Sequence, residues 1–166
     1  DGRSAPVAER VVVGLVSDTH GMVRPALFDA LAGVERILHA GDVGGADVLA
    51  ALEAIAPVHA VYGNTDPAGH PGLEESLVVT LGGLSIHVRH GHELGRPTPE
   101  RLLAAYPQDV LVYGHTHRQL VHRAADGRLV VNPGAAGARR FDLLPSVARL
   151  TIAGGRAEVE LVELPT

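Results

Sequence analysis

Short apolar runs that end in polar clusters set the pattern of this chain. Val11 to Ser17 (VVVGLVS) is apolar and rich in β-branched residues, and Ile37 to Ala40 and Val58 to Tyr62 are shorter, mostly apolar runs. Such runs are the mark of strands buried on both faces. Between them the spacing changes. Arg24 to Leu31 places Leu27, Ala30 and Leu31 on one face, and Ala46 to Ile55 does the same with Val48, Leu49, Leu52 and Ile55, which predicts two helices. Pro57 closes the second. The order strand, helix, strand, helix, strand predicts a parallel sheet with right-handed crossovers. The three strand tips then share one carboxyl edge, where open α/β sheets bind ligands.

Thr65 to Gly72 holds two prolines and two glycines and reads as a loop. Ser76 to Leu81 and Leu84 to Arg89 flank Gly82-Gly83 and predict a hairpin. Thr98-Pro99 starts a helix, as cap and first helical residue, that ends near Tyr106-Pro107. Val110 to Tyr113 is another buried strand. Strand-like pieces follow at Leu120 to Ala124, Leu129 to Asn132, Val147 to Ile152 and Ala157 to Leu164, with turns at Asp126-Gly127 and Gly154-Gly155. The expectation is one domain over residues 11–166, preceded by a flexible tail over 1–10.

Composition narrows the function classes. The chain has 166 residues, 46% apolar and 20% charged, within the range of a soluble globular domain. Aromatics are only 3%, so Val, Leu, Ile and Ala must fill the core. A formal charge of −5 argues against a surface that coats nucleic acid, which needs a basic stripe. The absence of cysteine removes disulfides, thiolate metal sites and a thiol nucleophile. No apolar run nears the roughly 18 residues of a membrane span. A cytoplasmic protein is the expectation, and a homo-oligomer is left open.

The strand tips carry the chemistry. They read Asp18-Thr19-His20, Gly41-Asp42, Gly63-Asn64, His90-Gly91-His92 and His115-Thr116-His117. Each alone has a plain explanation, as a turn, a helix cap or a surface histidine. As a set they place oxygen and nitrogen donors at five strand ends, and residues two apart in extended chain point the same way. Donors of this kind suit borderline transition metals better than copper(I), and so many imidazoles disfavour magnesium and calcium. His39, inside a strand, reads as a packed core residue, and His59, His87 and His122 are left out for the same reason.

The ordered set Asp-x-His, Gly-Asp, Gly-Asn, His-Gly-His, Gly-His-Thr-His and Asn132-Pro133-Gly134 resembles the calcineurin-like metallophosphoesterase superfamily, in its compact bacterial and archaeal branch of small phosphodiesterases. The likeness runs from about Val11 to Leu164. It implies an α/β fold of two mixed β-sheets packed as a sandwich and flanked by helices. It also implies two divalent transition-metal ions, manganese first, with iron, zinc or nickel as alternatives. One ion would take Asp18, His20 and His117, the other Asn64, His90 and His115, with Asp42 between them. Two divalent ions bring four positive charges and the two carboxylates return two, so an anionic phosphoester is drawn in despite the acidic chain. The implied reaction is attack on phosphorus by a hydroxide shared between the ions, with a small phosphoester as substrate.

Departures from the family pattern refine this. Relatives often carry His after Gly-Asn, a candidate acid for the leaving group; Thr65 stands there. His70 in the same loop is a weaker candidate for that role. Many relatives have Ser after Asn-Pro-Gly, where this chain has Ala135. His92 is expected to orient His90 or touch a phosphate oxygen, Arg139 to reach the substrate phosphate, and Asp66 to bond a ligand or cap a turn. The catalytic set is thus Asp42, Asn64, His90, His92 and Arg139. Loss of the usual acid and the short chain favour diesters over monoesters. The alternative from another class is a protein-binding scaffold of the same fold, of the Vps29 kind. A metallo-β-lactamase lacks its Asp-His after His-x-His, where Arg118-Gln119 follows, and an amidohydrolase barrel needs roughly 250 residues.

Overall fold

The computed structural model describes residues 10–138 and 143–165. The strands are β1 (Arg10–Val16), β2 (Arg36–His39), β3 (Val58–Val61), β4 (Leu73–Glu74), β5 (Ser76–Leu81), β6 (Leu84–Arg89), β7 (Val110–Val112), β8 (Leu120–Arg123), β9 (Leu129–Asn132), β10 (Ser146–Ala153) and β11 (Arg156–Glu163). The helices are α1 (Ala26–Ala30), α2 (Ala46–Glu53) and α3 (Pro99–Ala105). They form two mixed sheets, one of six strands in the order β11-β10-β1-β2-β3-β4 and one of five in the order β5-β6-β7-β9-β8.

Period-two patterning assigns each side chain to a layer. In β1, Val11, Val13 and Leu15 point between the sheets, while Val12 and Val16 pack under α1 and α2. Leu38, Ile86, Val88, Val112, Val131 and Leu150 complete the layer between the sheets. On the far side, Leu111, Tyr113 and Val130 pack against Leu102 of α3. The result is a four-layer sandwich, α over β over β over α.

β1, β2 and β3 run parallel, as expected, and so do β6, β7 and β9. Each sheet therefore brings three carboxyl ends to one edge. The 76–81 and 84–89 hairpin has the expected bounds, and Thr98 Oγ1 caps α3 by accepting the Arg101 N–H at 3.2 Å.

Three expectations need correction. α1 starts two residues after Arg24, because Pro25 occupies its cap position. Leu73–Glu74, not foreseen, pairs in parallel with Ala60–Val61 as β4. Arg10, placed in the expected tail, opens β1 opposite Ala153. The rest of that tail lies outside the described residues.

Candidate metal centre

The site forms where the two carboxyl edges meet. Beyond β1 and β2 the ladder continues through Asp18 N–H to Gly41 C=O, His20 N–H to Asp42 C=O and Gly21 N–H to Val43 C=O, each 2.9 Å. This fixes the Asp18 and Asp42 loops side by side. The second sheet is tied across by the His115 N–H, which donates to Asp18 Oδ2 at 3.2 Å. The His90 Nδ1 lies 2.8 Å from the Ala40 carbonyl.

Backbone geometry singles out the same residues. Among the described residues, the non-glycine positions with positive φ are Asp18, His20, Asp42, His115 and His117, with φ between 48° and 71°. Left-handed backbone costs an L-residue about 1–2 kcal/mol, and such strain clusters at functional sites. Here it turns side chains that would otherwise run along the strands into one space. The crowding is tight: a Cβ on Gly114 would strike Ser17 Oγ and Asp18 Oδ2, and one on Gly63 would strike Asp42 Oδ1.

Two triads of donor atoms result, Asp18–His20–His117 and Asp18–Asp42–His90, each with its atoms within 4.8 Å of one another. Asp18 Oδ1 lies 3.3 Å from His117 Nε2 and 3.8 Å from His20 Nε2. Asp42 Oδ2 lies 3.6 Å from His20 Nε2 and 3.3 Å from His90 Nε2, between the two groups. Asn64 Oδ1 is 3.0 Å from His90 Nε2 and 3.2 Å from His115 Nδ1. All seven sequence-predicted donors thus come together. Asp18 belongs to both triads, a part the sequence reading gave to Asp42 alone.

The charges are those of a cation site. Ala40 C=O can only accept, so His90 Nδ1 carries its proton. The Nε2 atom then faces oxygens of Asn64, Asp42 and Asp18, the last at 3.9 Å. A proton on Nε2 or a metal ion between these groups makes the arrangement favourable. Burial lowers the His90 proton affinity, yet Asp42 and Asp18 outweigh it and hold the ring above its ordinary value. Burial pushes the Asp42 carboxyl up, but the His90 ring and the Thr65 N–H outweigh it and hold it at about 2. Asp18 is driven well below the carboxylate range, against its burial, by His117, His20, His90 and Ser17. Its Oδ1 is buried with no hydrogen bond among the described residues. A fully buried carboxylate oxygen among imidazoles, with one histidine fixed by a backbone carbonyl, fits a divalent metal and its usual supporting bonds.

Other predicted residues fall around this centre. The His92 ring lies 5.4 Å from His90 and 6.3 Å from His115, beside the donors. Arg139 lies outside the described residues. His39 is a buried core residue, as expected. Asp66 accepts three backbone N–H groups, from Val43, Gly63 and Gly44 at 2.9, 3.0 and 3.1 Å, and so clamps the β2 and β3 loops together. Two supports escaped the sequence reading. Ser17 donates to Asp18 Oδ2 at 2.6 Å. Asn132 Nδ2 donates to Gly114 C=O and Thr116 Oγ1 at 3.1 and 3.0 Å, which holds the His115–His117 loop. The Asn-Pro-Gly turn was the signal for the second; nothing marks Ser17.

Comparison with known proteins agrees with this geometry. The model of the calcineurin-like phosphoesterase superfamily domain matches residues 11–155. The chain belongs to that superfamily. As a calcineurin-like phosphoesterase it is 34% identical over 162 residues to a probable metallophosphoesterase of Methanothermobacter thermautotrophicus, covering 92% of each chain. A phosphodiesterase of Methanocaldococcus jannaschii is 29% identical, with 74% of this chain and 82% of that one covered. Among solved structures, wild-type Vps29 of Entamoeba histolytica complexed with zinc superposes with a TM-score of 0.74 at 26% identity, covering 92% of this chain and 99% of that one. No helix among the described residues is long and apolar enough to cross a membrane.

Proposed function

We propose that this phosphoesterase domain hydrolyses phosphodiesters with two divalent metal ions. The observation that carries the reading is His90. Its Nδ1 proton is committed to Ala40, which leaves Nε2 as the ligand atom beside the Asp42 and Asn64 oxygens, the arrangement a metal-binding histidine uses. Asp18, His20 and His117 would hold one ion and His90, Asn64 and His115 the other, with Asp42 between them. Two such ions supply Lewis acidity toward phosphoryl oxygens and lower the pKa of a bound water. The chain's own part is positional. Ser17 and the His115 N–H fix Asp18, the Thr65 N–H fixes Asp42, and Ala40 fixes the His90 tautomer. The diester preference is supported by the phosphodiesterase relative and by Thr65 in the place of a leaving-group acid.

Full-length protein loaded with manganese is expected to hold about two ions per chain and to turn over bis(4-nitrophenyl) phosphate faster than 4-nitrophenyl phosphate. Faster monoester turnover overturns the diester preference. Asp42→Asn is expected to lower turnover at least about 100-fold; wild-type activity in that variant would sink the two-metal reading. The likeness to Vps29 favours a second reading, a protein-binding scaffold. Two bound ions with no turnover of either ester would support it.

A further inference from the structure

The loops after β2 and β3 enclose a hollow of about 280 Å³ beside the donor cluster. Two of its residues adjoin that cluster. Val43 follows Asp42 in the chain, and Thr65 supplies the N–H that holds Asp42 Oδ1 at 2.9 Å. Val43, Leu49, Pro67 and Leu73 give it apolar walls. Asp66 is the one carboxylate lining it, and its oxygens are engaged by three backbone N–H groups. No arginine or lysine lines it. The hollow therefore favours neither a cation nor a second phosphate.

Thr65 and His70 supply its other polar side chains. The His70 Nδ1 lies 2.7 Å from Pro71 C=O, which accepts the Nδ1 proton and leaves Nε2 for a ligand. A cavity of about 150 Å³ holds a benzene ring, so this one has room for a ring and its linking oxygen. The Asp66 clamp keeps its two loops at fixed spacing.

We propose that this hollow is the subsite for one substituent of the phosphoester, an uncharged, ring-bearing alcohol, with His70 Nε2 as its polar contact. The proposal rests on the phosphoesterase reading above. It makes the substrate an aryl-like or nucleoside-like ester and disfavours esters whose substituents are charged or small.

Two non-hydrolysable anions test it by isothermal titration calorimetry on the manganese-loaded full chain. Phenylphosphonate is expected to bind at least about tenfold tighter than methylphosphonate, from the apolar area the ring buries. Leu49→Trp fills the hollow, so it should remove that difference while leaving methylphosphonate affinity unchanged. Leu73→Trp repeats the test from β4 if the first variant does not fold. Equal binding of the two phosphonates to the wild type, or an unchanged difference in folded variants, overturns the subsite and leaves the metal reading standing. Binding of neither anion to a chain carrying two ions overturns the phosphoesterase reading itself.

Discussion

The proton on His39 is fixed by its neighbours. Nδ1 accepts the Gly41 N–H at 3.1 Å. Thr19 Oγ1, which spends its own proton on Val43 C=O at 2.7 Å, must accept from His39 Nε2 at 2.9 Å. A second ring proton would face the Gly41 N–H in a fully buried place. Burial, the largest cause, accordingly depresses the ring to about 4. The unfolded chain takes up that proton near the ordinary value of about 6.5, before the folded one does. Stability is therefore full above about pH 6.5 and falls as pH drops toward 4, by up to about 3 kcal/mol from this group. Denaturant titrations of metal-free protein at pH 7 and pH 4.5 check this. His39→Asn keeps an acceptor for Gly41 but cannot titrate, so it should lose markedly less stability than wild type between those values.

Elements carried most of the legible information. Short, mostly apolar runs announced β1, β2, β3 and β7, and Gly82-Gly83 fixed the hairpin register residue by residue. β4 was not legible, since Leu73–Glu74 has only two residues and depends on the edge that β3 offers. The donors were legible because each follows a strand, but their turning inward was not. For Asp18, His20, Asp42, His115 and His117 it comes from left-handed backbone that no periodicity encodes. Asp66 could be read as cap or ligand, and only the meeting of two loops shows it as a clamp. Gly114 belongs to the same class, as its need is set by Ser17 and Asp18, nearly a hundred residues upstream. Gly114→Ala should weaken manganese binding by at least about tenfold and lower the melting temperature. Gly69→Ala, with open space around its Cβ position, should do neither. Calorimetry and thermal melts of both variants decide it.

At the scale of the whole molecule, the donors divide between the sheets. Asp18, His20, Asp42 and Asn64 follow strands of the six-stranded sheet, and His90, His115 and His117 follow strands of the five-stranded one. Ions held between them would join the layers at their open edge, so saturating manganese should raise the melting temperature and a chelator should reverse it. The left-handed ligand positions add a further consequence. Glycine adopts that backbone without steric cost. In chelator, His117→Gly should therefore be more stable than His117→Ala by about 1 kcal/mol, while wild type with manganese exceeds both. Selection acting on stability alone would thus drift toward glycine at residues 18, 20, 42, 115 and 117. Asp and His at these positions carry strain that glycine would not, in return for the donors they supply. The same five positions, inspected in any sequence of this fold, offer a way to tell chains that keep their donors from chains that have lost them.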